Sequence, residues 1–410
     1  MTLKQIKKIF RDTAYVRTGG SQEEKKTAEY IRDVLDGFGL TATLVPFEVN
    51  MATIRLAKLV VDGKEIACKG YLCCGSGEVE ADIYYLTEDD KGSLEKCKGK
   101  IVLFDGYLGY WRYRDLLEHG AIGFITYDGH INYADKDIDQ RELRAMVSDG
   151  VEKILGVNIN VKDAVELVNR EAKRAKITIE QDEYTGVSHN VVLDLKGKSE
   201  KTITLTAHYD STSLSQGAYD NMSGSVGLIA MAAYFSKLPL KHGLRFIWCG
   251  SEERGLLGSK AYVATASEEE LSNVVLNVNL DMIGCVMGKF IACCTSENRL
   301  TDYISYMGDE LGFQVKAYQD VYSSDSTPFA DKGIPAVSFA RACPPSTGTI
   351  HNSYDTAKLI KAERMQEDIA FIQAFVLRMA SAERCPVLRE MPENMKEKLD
   401  EYLCRKRKKK

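Results

Sequence analysis

The chain has 410 residues, 44% hydrophobic and 28% charged, the proportions of a folded globular protein and a length that calls for two domains. With RKRKKK at residues 405–410 set aside, 48 Lys and Arg face 59 Asp and Glu, so the formal charge of −5 conceals a body at −11. A body that acidic argues against nucleic acid as a partner, and no apolar run reaches the length of a membrane span.

The opening MTLKQIKKIFRDTAY lacks the long apolar stretch of a secretory signal. Ser21 with Glu24 reads as a capping box, and Ala28, Ile31, Val34, Leu35 and Phe38 follow at helical spacing to a stop at Gly39. TATLVPFEV then reads as a strand. Residues 50–185 break the rhythm with short strands and turns: GKIVLFDG, a helical YRDLLEHG, then AIGFITYDG. They are expected to form an inserted domain. Within it Asp105, Gly106, Tyr107, Tyr110, Trp111 and Tyr113 make an aromatic cluster, expected to pack between domains, with a wall of a substrate pocket as the sharper alternative.

From about residue 190 strand and helix alternate: NVVLDL, TITLTAH, a helix over 222–235, LRFIWCGS, a helix after Glu253, VVLNVNLD, KFIACCT, a helix over 298–311, PAVSFA and a helix over 362–379. Nearly continuous apolar strands between helices predict an α/β fold, a mostly parallel central sheet with helices on both faces. The expected organisation is a discontinuous catalytic domain (1–49 and 186–390), an inserted small β-rich domain (50–185) and a basic C-terminal tail (391–410). The last six residues are expected to be solvated and disordered.

Eleven cysteines, an odd number with no CxxC, form neither a disulfide framework nor a thiolate zinc site. So many thiols point to a reducing compartment and a cytoplasmic location.

The chemistry is concentrated in five segments: AHYDS around His208, GAYDNMSG around Asp220, CGSEERGLLGS around Glu252 and Glu253, NLDMIG around Asp281, and HNSYDT around His351. Each has a plain structural reading. His208 at a strand end is ordinarily a hydrogen-bonded core residue, Asp220 an N-cap, and Glu252–Glu253 the acidic first turn of a helix. Asp210, two residues after His208, shifts the balance, since a metal-bound imidazole commonly gives its other N–H to a carboxylate. His208, Glu252 and Asp281 each follow an apolar strand, the edge of such sheets where sites form. Two histidines and three carboxylates are N/O ligands that Zn²⁺ accepts, and one further carboxylate remains for proton transfer. Together they read as a two-metal hydrolase.

These segments resemble the zinc-dependent exopeptidase family that contains bacterial leucyl aminopeptidase, Streptomyces aminopeptidase, glutamate carboxypeptidase II and glutaminyl cyclase. The resemblance covers about residues 15–49 and 190–380, and the GKIVLFDG…GAIGFITYD succession of the insert resembles a protease-associated domain. It implies that His208 and Asp281 hold one zinc, Glu253 and His351 the other, and that Asp220 bridges them, with Glu252 as general base. Cobalt or manganese would be the replacements for zinc. Asp210 falls where the family supports the first histidine, and Asp325 resembles the residue that supports the second. A cis peptide between Asp220 and Asn221 is also implied.

Two departures stand out. Ile350 occupies the position before the last histidine where simple aminopeptidases of the family often carry an oxyanion-binding tyrosine; Tyr322 or a tyrosine of the insert are the alternative donors. The family's SDH triplet is Ser324-Asp325-Ser326. The expected activity is removal of N-terminal residues from peptides. Carboxypeptidase or dipeptidase action (with Arg341 as a carboxylate binder), glutaminyl cyclase chemistry on one zinc and a catalytically inactive binding protein remain as alternatives. Oligomeric state is not legible.

Overall fold

Three apolar strands lie side by side and parallel in the computed structural model, which describes residues 1–408. They are Val274–Leu280, Thr202–His208 and Gly243–Cys249, with Thr202–His208 in the middle. Their register sets Cys249 level with His208 and Asn279 level with Thr206. The loops that follow all three therefore leave the same edge of the sheet. Ala336–Ala342 extends it in parallel, and Lys289–Thr295 and Lys316–Gln319 complete one side; the end of Arg174–Leu195 pairs antiparallel on the other.

Helices cover both faces, as an all-apolar parallel sheet requires. Gln22–Asp36, Ser223–Phe235 and Ala362–Ser381 lie on one side, with Ile31, Val226, Phe339 and Phe375 in a single core. Leu257–Thr265 and Ser326–Asp331 lie on the other, over Ile247, Val263 and Phe329. Ser223–Phe235 is buried nearly all round, which suits its mixture of Ala, Gly, Leu and Ile.

The chain divides into two units: Met1–Glu48 together with the chain from Val187, and Val49–Gly186. Two long strands, Thr43–Val61 and Arg174–Leu195, carry it out and back. The second unit has its own parallel run, Gly77–Tyr85, Ile101–Asp105, Gly123–Asp128 and Leu155–Asn160, with helices Tyr110–Glu118 and Val161–Asn169. Its core contains Tyr71, Phe104, Tyr113 and Phe124. The aromatic cluster thus divides: Tyr113 is core, Tyr110 meets Trp111 edge-on at 4.9 Å, and Tyr107 is half exposed beneath the Arg141 guanidinium.

Several elements differ from expectation. The helix Gln22–Asp36 stops short of Phe38, and Gly39 takes the left-handed φ of 76° that closes the turn. Leu3–Asp12 is a helix the sequence reading passed over; Thr2 and Gln5 form its capping box, and Ile6, Ile9 and Phe10 enter the core. The expected tail contains the helix Glu393–Tyr402, whose Leu399 packs with Ala330 and Ala336. Arg405 pairs with Asp331 at 2.6 Å and Lys406 with Glu397 at 3.3 Å, so the basic stretch begins as an ordered surface. Its last two residues, 409 and 410, lie outside the described residues. Among the described residues no helix is long and apolar enough to cross a membrane, and no disulfide joins the cysteines.

Candidate metal centre

The five ligand candidates converge. His208 Nε2 lies 3.1 Å from Asp220 Oδ1 and 3.7 Å from Asp281 Oδ1. His351 Nε2 lies 3.1 Å from the other oxygen of Asp220 and 3.2 Å from Glu253 Oε2. Two of the three-residue groups that result share Asp220, His208–Asp220–Asp281 and Asp220–Glu253–His351, each with its donor atoms within 4.8 Å of one another. Asp220 belongs to both, one oxygen to each. Glu252 forms a third such group with His208 and Glu253, its Oε2 3.9 Å from His208 Nε2.

Local structure explains why these side chains meet. Asp220 sits in a tight turn, Ala218–Met222, with a cis peptide to Asn221, directly ahead of the helix Ser223–Phe235. The Asn221 side chain donates to Leu280 O at 2.9 Å and accepts from Met282 N at 3.0 Å, so it straddles Asp281 and holds it toward Asp220. Close approach is needed: a Cβ at Gly224 would fall 2.2 Å from Leu280 O. Asp355, fully buried, accepts the N–H groups of Tyr219 at 2.7 Å and Asp220 at 3.1 Å. It lies four residues after His351, so one short segment supplies a ligand and steadies the bridge. Asp210 stands 3.4 Å from His208 Nδ1, and its two oxygens also accept from Glu252 N at 3.0 Å and Glu253 N at 3.1 Å.

The electrostatics test whether a cation fits. Asp210, Asp220, Glu252, Glu253, Asp281 and Asp325 bring six mostly buried carboxyl groups to two imidazoles. Burial, then the charges of Glu253, Asp325 and Asp281, push Glu252 well above the usual carboxylate range. Glu253 is raised by burial and by Asp220. Burial alone would depress His208, but Glu252 and the carboxylates of Asp210, Asp220 and Asp281 carry it well above the usual value. The buried Asp281 Oδ1 has no hydrogen-bond partner among the described residues. Excess buried negative charge and an unsatisfied acceptor suit divalent cations, and the donors are of the type zinc takes. The residues fit the metal the resemblance implies.

Residues 190–376, which hold every one of these groups, match the model of peptidase family M28. That stretch of the chain is similar to the M28 peptidases. Aminopeptidase YwaD of Bacillus subtilis is 33% identical over 212 residues, 48% of this chain and 46% of that protein. The leucine aminopeptidase 2 of Trichophyton equinum is 41% identical over 96 residues, 19% of its length. The chain thus spans less than half the length of the curated relatives it matches. Among solved structures, a zinc aminopeptidase from Bacillus subtilis superposes with a TM-score of 0.77 at 25% identity, covering 95% of this chain and 96% of that one. The aminopeptidase from Aneurinibacillus sp. strain AM-1 gives 0.76 at 25%, covering 94% and 96%.

Asp325, Arg341 and Tyr322 complete the residues that the sequence singles out. Asp325 is buried, and after burial itself the strongest influence on it is the charge of His208, with Asp210 and Asp281 also near. Arg341 is engaged by Asp368 through Nε and Nη2, at 3.0 and 2.5 Å, and donates from Nη1 to Gly288 O. A substrate carboxylate would have to displace a buried carboxylate from it. Tyr322 stands near Asp281 and Asp220, whose charges, after burial, hold its phenol protonated well above the usual range. Asn221 and Asp355 carry no motif of their own in the sequence; their adjacency to Asp220 and His351 was the only available signal.

Proposed function

We propose that this chain is a two-zinc aminopeptidase. The observation that carries the reading is the division of Asp220 between two adjoining ligand groups, neither of which needs Glu252. His208, Asp281 and one oxygen of Asp220 would hold one zinc, and Glu253, His351 and the other oxygen the second. When bound, such a pair supplies Lewis-acid polarisation of the scissile carbonyl and a water of lowered pKa.

The chain's own residues do the rest. Glu252, in a buried position that keeps its carboxylate basic, takes the proton from the attacking water and hands it to the leaving amine. Asp210 fixes the His208 ring and, through two backbone N–H groups, the turn that carries Glu252 and Glu253. Tyr322, its phenol held protonated beside Asp281 and Asp220, would donate to the developing oxyanion that Ile350 cannot serve. Termini are trimmed because a free α-amino group completes the site. The occupied Arg341 disfavours recognition of a C-terminal carboxylate. The relatives are aminopeptidases, one of them a zinc enzyme, which supports the same assignment. The eleven unbridged thiols support a cytoplasmic setting.

The test pairs metal analysis with substrate choice. Zinc-loaded protein should approach two ions per chain and cleave aminoacyl anilides, lose activity to a chelator and regain it with zinc or cobalt. Stoichiometry that never exceeds one, or cleavage of N-blocked substrates in preference to free ones, would overturn the reading.

A further inference from the structure

Ser21 and Glu24 have the spacing of a capping box, and Ser21 Oγ does accept Glu24 N at 3.0 Å. The Glu24 carboxylate, however, does not return to the cap residue. It is 1% exposed. One oxygen accepts from Gly20 N at 2.7 Å and Ser188 Oγ at 2.9 Å. The other accepts from Ser251 N at 2.7 Å and Ser251 Oγ at 3.0 Å. Four donors fill an acceptor-only group.

Ser251 is the residue before Glu252 and Glu253, and it has a φ of 53°, a left-handed conformation disfavoured in any residue with a Cβ. Its neighbour Gly250 makes room for the contact: a Cβ there would lie 2.5 Å from His189 O and 3.0 Å from Glu24 Oε1. Asp210 grips the next two N–H groups of the same turn. The turn is thus held at three consecutive amides by two buried carboxylates, one of them from a helix start 227 residues away in sequence.

We propose that Glu24 is a positioning residue for the metal centre: by holding Ser251 left-handed, it sets the directions in which Glu252 and Glu253 leave the turn. A helix cap does not account for it, since Ser21 already supplies one. Placing this carboxylate here is costly, as burial and the nearby charge of Asp210 raise its pKa, and the bonds from Gly20, Ser188 and Ser251 oppose that by favouring the charged form. The inference rests on the proposed roles of Glu252 and Glu253.

The test uses the full zinc-loaded chain and two variants of one helix start. Ser21→Ala removes the cap but leaves the Ser251 tie, and should keep kcat and zinc affinity within about twofold. Glu24→Gln keeps the size of the side chain but turns an N–H₂ toward donors. It should lower kcat by about tenfold or more with KM little changed, and weaken one zinc by about 10- to 100-fold in competition with a chromogenic chelator. Adding Ser251→Gly, which adopts positive φ freely, should recover a substantial part of both losses. Glu24→Gln matching Ser21→Ala in kcat and zinc affinity overturns the inference. If Glu24→Gln does not fold, Glu24→Asp, one methylene too short to reach both Gly20 and Ser251, takes its place with the same expected and overturning results. Wild-type protein without peptidase activity would instead sink the functional reading, and the zinc competition would still decide the role of Glu24.

Discussion

Each unit of this chain ends a run of parallel strands in acidic side chains, yet the two ends have opposite characters. In the second unit Asp128, last residue of its strand, receives Asn158 Nδ2 at 2.9 Å and Asp139 N at 3.3 Å and has Arg141 Nη2 at 3.5 Å. Arg141 in turn donates to Gly106 O at 2.7 Å and stacks over Tyr107. The protein supplies the counter-charge itself. In the first unit both buried arginines near the site are committed elsewhere: Arg17 donates to backbone carbonyls, among them Gly217 O at 2.7 Å, and Arg341 is bound by Asp368. The carboxylates around His208 and His351 are left to cations from outside. A strand end rich in acid is thus structural or functional according to where the nearest guanidinium is directed.

The sharpest challenge to this contrast is at the glutamate pair. Glu252→Gln should lower kcat by about 10²–10⁴-fold while two zinc ions remain bound, whereas Glu253→Gln should lower zinc content. Reversed behaviour would exchange base and ligand. Zinc itself should come next in size. At about a thousandfold excess over its Kd it should stabilise the fold by about 4 kcal/mol relative to chelated protein; an unchanged melting temperature would mean that the first unit satisfies its charges internally after all. Arg141→Leu should cost about 3 kcal/mol by leaving Asp128 buried without its cation, and the loss should be the same with zinc or chelator. A loss that vanishes on metal removal would couple the second unit's charge network to the metal. Smallest is Tyr107→Ala, expected at about 0.5–1 kcal/mol for an exposed cation–π contact, read from chemical denaturation. A larger effect would give that ring a role beyond covering Arg141.

Much of the fold was legible because parallel strands buried on both faces leave long apolar runs, as in TITLTAH and VVLNVNL. Short elements were harder. Ser326–Asp331 and Lys316–Gln319 are too brief for periodicity to register, and Leu3–Asp12 was passed over although Thr2 and Gln5 mark its start. The boundary of the second unit was read at residue 50, yet the strand there runs unbroken from Thr43 to Val61. A change of unit need not interrupt a backbone ladder.

Of the site, the sequence by itself determined the donors: which imidazoles and carboxylates are present, and which of them follow apolar strands. That follows from residue chemistry and from the shared edge at which parallel strands end. Which donors touch, and what holds them, was decided only by the tertiary structure. Asp220 divides its oxygens between two histidines, Asp325 lies by His208, Arg341 is taken by Asp368, and Glu24 reaches Ser251 instead of its own helix cap. The physical reason is common to all four. A buried charge must find partners in three dimensions, and the nearest partner in space need not be near in sequence.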